Sequence, residues 1–193
     1  SFIADVGASH EGTIRGAFRC IEAAANAGAT HVKFQLYDAK TLVSNHEKHL
    51  RTIHYQLPAN WISELAGYAH NYGVLFGVSV FGVELVEPLR RLVDFIKIAA
   101  YDLTYLDLIK KAASLACPVI LSTAMGTMQE VHEAVMSVQG VRSTLEPMPL
   151  LSSGAITLLH GVAQYPAPLA EQNLRALRSL QLISSWCQVG LSD

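Results

Sequence analysis

Short apolar runs of strand length alternate with segments whose apolar residues recur every three to four positions, almost to the end of the chain. The runs predict seven strands: Phe2 to Gly7, His31 to Tyr37, Val74 to Val80, Phe95 to Ala100, Val119 to Thr123, Ile156 to Gly161 and Gln188 to Ser192. The stripes between them predict helices carried by Ile14, Phe18, Ile21 and Ala25; by Trp61, Leu65, Ala69 and Tyr72; by Leu108, Ala112 and Leu115; by Met128, Val131, Val135 and Val138; and by Leu174, Leu177 and Gln181. Gly28 and Gly73 stand where helices should stop, and Thr127-Met-Gln-Glu130 reads as a capping box. Strands that alternate with helices require a parallel sheet covered by helices.

No Gly-x-Gly-x-x-Gly follows the first strand and no Walker loop occurs, so a (β/α)8 TIM-type barrel fits better than a dinucleotide or P-loop fold. In such a barrel the chemistry sits where strands end, and those positions are polar here: Asp5, Lys33 with Gln35, Ser79, Lys97, Ser122 with Thr123, His160, and Ser192 with Asp193. Two of them interrupt apolar strands. Period-two alternation sets Lys33 and Gln35 opposite Val32, Phe34 and Leu36, and Lys97 opposite Ile96 and Ile98, which turns both lysines into the barrel. An ammonium group placed there needs an anion, from a ligand or from the protein. A structural bridge to Asp5 or Asp102 meets the same need without any ligand. His160 reads first as a hydrogen-bonded residue ending an apolar strand, and Ser122, Thr123 and Tyr165 have turn roles as alternatives.

Composition narrows the class. The chain has 193 residues, 51% of them hydrophobic, with a net charge of -2. No apolar run approaches the roughly 18 residues a spanning helix needs. These values describe a globular chain with a large core and argue against nucleic-acid or membrane partners. Cys20, Cys117 and Cys187 form no Cys-x-x-Cys pair, which points to reduced thiols and a cytoplasmic protein. The segment from Asp38 to Pro58 holds His46, Lys48, His49, Arg51 and His54; it is either a solvated basic loop or a lid on the active face. A second long loop, Gln139 to Gly154 with Pro147 and Pro149, joins a helix to a strand and carries no chemistry.

At its strand ends the chain resembles the sialic acid synthase family, the phosphoenolpyruvate-dependent N-acylneuraminate synthases with their pseudaminic, legionaminic and spore-coat relatives. The resemblance rests on Ile-Ala-Asp-Val-Gly-Ala-Ser-His-Glu-Gly (3 to 12), Ala-Gly-Ala-Thr-His-Val-Lys-Phe-Gln (27 to 35), Ile-Lys-Ile-Ala (96 to 99), Pro-Val-Ile-Leu-Ser-Thr-Ala-Met (118 to 125), Thr-Leu-Leu-His-Gly-Val-Ala-Gln-Tyr-Pro-Ala-Pro (157 to 168) and Val-Gly-Leu-Ser-Asp (189 to 193). It implies condensation of phosphoenolpyruvate with the aldehyde of an N-acyl amino sugar, giving a nonulosonic acid and phosphate, with Mn2+ or Mg2+ polarising the aldehyde. It also implies a homodimer. By the resemblance, Lys33 and Lys97, with the hydroxyls of Ser79, Ser122 and Ser192, bind phosphoenolpyruvate. Asp5, standing for a usual Glu, serves with Gln35 and Tyr165 at the sugar, and Asp102 stands near a second family acid.

The departures point the other way. The family's histidine metal ligands would lie beyond Asp193, so no metal ligand is expected within the chain. Ala100, Ala163, Gly161, Ser9 and Ala124 replace residues the family often has as serine, asparagine, cysteine, asparagine and glycine. Residues 1–193 read as one partial catalytic barrel without the family's C-terminal antifreeze-like domain, beginning at Ser1 rather than Met and short of the roughly 250 residues of a full barrel. The expectation is a chain that cannot close its barrel alone, exposes Val189 to Leu191 as an associating edge, and binds phosphoenolpyruvate weakly without turnover. Two other functions remain open: a Schiff-base aldolase using Lys33 or Lys97, and a degenerate, non-catalytic member of the synthase family.

Overall fold

The computed structural model describes residues 1–42, 52–145, 155–183 and 187–193. They form two compact units, Ser1–Ile96 and Lys97–Asp193. All seven predicted strands are present, and within each unit they lie in chain order. The repeat of parallel strand and helix is that of an incomplete (β/α)8 TIM-type barrel, with seven strands among the described residues.

The first unit contains β1 (Ile3–Asp5), α1 (Ile14–Asn26), β2 (His31–Leu36), α2 (Ala39–Leu42), α3 (Ile62–Asn71) and β3 (Leu75–Val80), and β4 (Phe95–Ile98) begins within it. β2 pairs in parallel with β1 and with β3, in a register that sets Asp5 beside Lys33, Lys33 beside Gly77, and Gln35 beside Ser79. The alternate residues Val32, Phe34 and Leu36 of β2 and Phe76, Val78 and Val80 of β3 are buried, as are Ala17 and Ile21 of α1 and Leu65 and Ala69 of α3. Each large side chain so buried contributes about 1.5–3 kcal/mol. Helix α1 starts at Thr13, whose hydroxyl accepts from Gly16 N, and stops before Gly28, whose φ of +84° only glycine takes easily.

The buried stripe of α1 is Ala17, Ile21 and Ala24, turned by one residue from the one expected. Phe18 instead stacks on Tyr68 of α3, with centroids 4.2 Å apart. The large ring finds its partner on the neighbouring helix, and the small alanines face the sheet.

The second unit contains α4 (Leu106–Ala113), β5 (Val119–Ser122), α5 (Met128–Arg142), β6 (Ile156–His160), α6 (Ala176–Gln181) and β7 (Gln188–Leu191). β6 pairs in parallel with β5 and β7. The capping box at Thr127 and Glu130 is formed as read. Two expectations are corrected here. Helix α5 continues to Arg142, where a loop was expected from Gln139, because the buried Arg142 guanidinium donates to Ala155 O at 2.9 Å and to Cys117 O, fastening the approaches to β6 and β5. In α6 the buried residue is Leu180, while Leu174 is exposed, since this short helix covers the sheet with one side chain only.

Strand ends fall one or two residues inside the expected limits. Val6, Thr123 and Ser192 still donate to the neighbouring strand, to Lys33 O, Leu159 O and His160 O, as the chain turns into the following loop. Ala100 already belongs to a 3-10 turn, Ala100–Asp102. The segment after β2 is not simply solvated: Ala39 and Leu57 are buried, and Ile53–Tyr55 forms a 3-10 turn. His46, Lys48, His49, Arg51, Pro147, Pro149 and Gly154 lie outside the described residues.

Candidate active site

In a parallel pair, residues in register point to the same face, and so do residues two apart on one strand. The register therefore gathers Asp5, Lys33, Gln35 and Ser79 on one face of β1, β2 and β3, opposite the face that holds Val32, Phe34 and Leu36. Lys33 is 2% exposed, and its Nζ lies 2.8 Å from Asp5 Oδ1. The Asp5 side chain keeps 48% of its surface open. Asp5 Oδ1 also accepts from Gly7 N at 3.1 Å, so one oxygen serves both the lysine and the loop that follows. Burial pulls the Lys33 amine below the usual lysine range, and the Asp5 charge and hydrogen bond oppose that shift.

Beside Lys33, β3 carries Gly77, and a Cβ there would stand 2.2 Å from the Phe95 ring. The ring fills the space a side chain would take and meets His31 edge-on at 5.4 Å. The Phe95 ring thus packs beside the strand position next to Lys33, and Asp5, the carboxylate bonded to Lys33, reaches toward solvent.

In the second unit Lys97, half-buried between Ile96 and Ile98, donates to Ser192 Oγ at 3.4 Å. Ser122 is buried at the end of β5, in register with Leu159. The Thr123 hydroxyl donates to Leu159 O at 3.1 Å, so it serves the backbone. His160 falls on the opposite face from Leu159, and its Nε2 bonds Gln172 O at 2.7 Å; it is the hydrogen-bonded residue of the plainer reading and does not join Ser122. Tyr165 is 85% exposed in the loop after β6. Asp102, in the turn after β4, has a buried Oδ2 with no hydrogen-bond partner among the described residues, and burial pushes its carboxyl above the usual range.

Asp5 rather than Asp102 is therefore the partner of Lys33. Two polar residues of this architecture were not singled out from sequence. Arg142 gave no signal, since it fell in the stretch read as a loop from Gln139. His10, 1% exposed in the loop after β1, gave one: a lone histidine between Gly7 and Gly12, both of which have positive φ.

No helix among the described residues is long and apolar enough to cross a membrane. Nor, among those residues, do three or more His, Cys, Asp or Glu side chains group to hold a metal ion.

Comparison with known proteins agrees with this fold. The spore coat polysaccharide biosynthesis protein SpsE of Bacillus subtilis is 30% identical over 204 residues, covering 99% of this chain and 52% of the relative. The N,N'-diacetyllegionaminic acid synthase of Campylobacter jejuni is 33% identical, covering 93% of this chain and 56% of its own length. The chain thus spans about half the length of these curated relatives. The crystal structure of an N-acetylneuraminic acid synthetase from Leptospira borgpetersenii, in complex with citrate, superposes with a TM-score of 0.88 at 26% identity, covering 100% of this chain and 64% of that one. The NeuB family model matches residues 20–193, and the chain belongs to the NeuB family.

Proposed function

We propose that this chain carries the phosphoenolpyruvate-binding part of a nonulosonate synthase, which joins phosphoenolpyruvate to the aldehyde of an N-acyl amino sugar and releases phosphate. The observation that carries the reading is Lys33, an ammonium 2% exposed on the same strand face as Gln35 and Ser79, held by a carboxylate that is itself half open. A buried cation beside an open rim suits an anion that enters from solvent and takes over part of the Asp5 contact.

In this reading, as the family resemblance implies, the amines of Lys33 and Lys97 and the hydroxyls of Ser79, Ser122 and Ser192 bind phosphoenolpyruvate, the amines carrying charge and the hydroxyls donating hydrogen bonds. Gln35 and Tyr165 contact the sugar. The phosphoenolpyruvate C3 bonds to the aldehyde carbon as its double bond opens, water adds at C2, and the C2–O bond to phosphate breaks. Asp102 and Asp5 are the acids this reading assigns to proton transfer at the new alkoxide and at the water. The divalent metal of the family receives no ligand set and no step from the described residues.

Calorimetric titration of the full chain with phosphoenolpyruvate tests the reading. Binding should be measurable in the millimolar range or tighter, and Lys33→Met should weaken it by about tenfold or more, as for a lost charge-assisted contact. A wild-type chain that fails to bind refutes it.

A second reading is favoured by the lowered Lys33 amine, since a neutral lysine forms a Schiff base with a keto acid. Borohydride in the presence of pyruvate decides between them. Covalent mass gained at Lys33 replaces the synthase with an aldolase, and an unmodified chain retains the synthase.

A further inference from the structure

We propose that Leu103 is a positioning residue: its side chain, seated on Gly126, locks the turn that carries Asp102 against the loop that leaves Ser122, and so holds the Asp102 carboxyl in its buried place. The bearing of this lock on phosphoenolpyruvate binding rests on the reading above; the lock itself does not.

The loop after β5 is anchored at both ends. Thr123 donates twice to Leu159 O on β6, through its N–H at 2.9 Å and its hydroxyl at 3.1 Å, and Thr127 is closed into α5 by the capping box with Glu130. Gly126 lies between these anchors, its N–H bonded to Thr123 O at 3.0 Å. The turn after β4 is bonded to itself: Asp102 N to Ala99 O at 3.0 Å, Leu103 N to Ala100 O at 3.3 Å, and Tyr105 N to Asp102 O at 2.9 Å. Asp102 Oδ2 adds no tie, being buried without a hydrogen-bond partner among the described residues. A carboxyl oxygen desolvated in this way gains by turning toward water, so packing has to hold it.

Leu103 supplies that packing. It is 2% exposed, and a Cβ on Gly126 would stand 2.3 Å from its Cδ2, so the methyl group fills the space a side chain at 126 would take. The same Cβ would lie 3.3 Å from Thr123 O and 3.6 Å from Val131 Cγ2, which close the notch on its other sides. Gly126 does not have a left-handed φ, so close approach rather than backbone conformation calls for glycine there. Met125, one residue earlier, does hold a left-handed φ of 66°. Strain of that kind persists where surrounding contacts over-determine the backbone. Leu103 follows Asp102 directly, so a methyl group fixed in the notch leaves the turn little freedom to swing its carboxyl outward.

NMR of the aspartate carboxyl carbons in the full chain tests the lock through the titration of Asp102, which burial sets above the ordinary aspartate range. Leu103→Ala frees the turn and should bring Asp102 back toward that range, with exchange of the Asp102 and Tyr105 amides about tenfold faster or more. Leu103→Met keeps an apolar end of similar volume and should titrate as the wild type does. Gly126→Ala expels the Leu103 methyl group and should reproduce the Leu103→Ala result, which keeps the proposal open to refutation if one of these variants fails to fold. Val138→Ala is the control, a buried change about 16 Å along α5 from Thr127 that should loosen packing without moving Asp102. Phosphoenolpyruvate affinity should fall about fivefold in Leu103→Ala and hold in Leu103→Met, a loss of preorganisation at Ser122. An Asp102 that titrates alike in the wild type, Leu103→Ala and Gly126→Ala overturns the proposal, and so does an equal shift in Val138→Ala. Unchanged affinity in Leu103→Ala, in a protein whose wild type binds phosphoenolpyruvate, overturns it as well. If the wild type does not bind at all, the proposed function falls and the titration alone judges the lock.

Discussion

The two units keep their carboxylates in opposite ways. In the first, Asp5 and Lys33 sit side by side on adjacent strands, the amine buried and the carboxylate half in solvent, and one oxygen accepts from both Lys33 and Gly7. In the second, Asp102 follows a strand in a tight turn, with one oxygen buried and unbonded among the described residues. The first acid is the counter-ion of Lys33. The second is desolvated and inclined to hold its proton. Residues with the same side chain thus stand in opposite surroundings, one paired with an amine and half open, the other desolvated in a turn.

The largest effect should come from breaking the charged pair on one side only. Asp5→Ala leaves a buried ammonium without its counter-ion and should cost about 3 kcal/mol by urea unfolding at neutral pH, toward the low end for such pairs because Asp5 is half exposed. Lys33→Met leaves an acid that can turn to water, and should cost under about 1 kcal/mol. The alkaline range sharpens the contrast. A buried amine binds its proton less firmly folded than unfolded, so the folded state carries fewer protons there and stability rises with pH. The deficit of Asp5→Ala should shrink as pH rises through that range. Equal costs for the two substitutions would mean that Lys33 is not desolvated.

A smaller effect tests the packing at Gly77, the register neighbour of Lys33. Gly77→Ala drives a methyl group into the Phe95 ring, itself 3% exposed, and should cost about 2 kcal/mol, within the range for overpacking. Phe95→Leu should recover part of that loss in the double variant, a coupling that a thermodynamic cycle reads directly. Additive costs would show that the glycine is needed for some reason other than the ring.

How much of this was legible in the chain follows from the same physics. Strands are apolar runs closed by glycine or polar residues, so all seven could be located, and period two was enough to put Lys33 with Gln35 and against Phe34. The partner of Lys33 was not legible. Asp5 and Asp102 are equally acidic in sequence, and only the register of β1 on β2 sets the first beside the amine. Helical stripes were less secure where helices are short or carry alanine. α1 presents Ala17 and Ala24 to the sheet while Phe18 goes to Tyr68, and α6 buries Leu180 rather than Leu174. Arg142 escaped because it acts through backbone carbonyls of segments distant in sequence, and sequence records side chains but not which carbonyl they will meet.

The smallest effect concerns Asp102, and its sign carries the argument. A carboxyl raised by burial binds its proton more firmly folded than unfolded. Between the ordinary aspartate value, about 3.9, and the raised one, the folded state therefore holds more protons, and stability falls as pH rises. Above that range the full cost of a buried charge persists. Asp102→Asn removes the charge and should stabilise the protein at neutral pH by about 1 kcal/mol, on the scale of an unsatisfied buried acceptor. The gain should fade as pH falls toward the ordinary aspartate value, where the native carboxyl is protonated as well. Denaturant midpoints of both proteins from acid to neutral pH measure it. A loss of stability in Asp102→Asn at neutral pH would mean that this carboxylate, like Asp5, balances a cation, and the contrast between the two units would disappear.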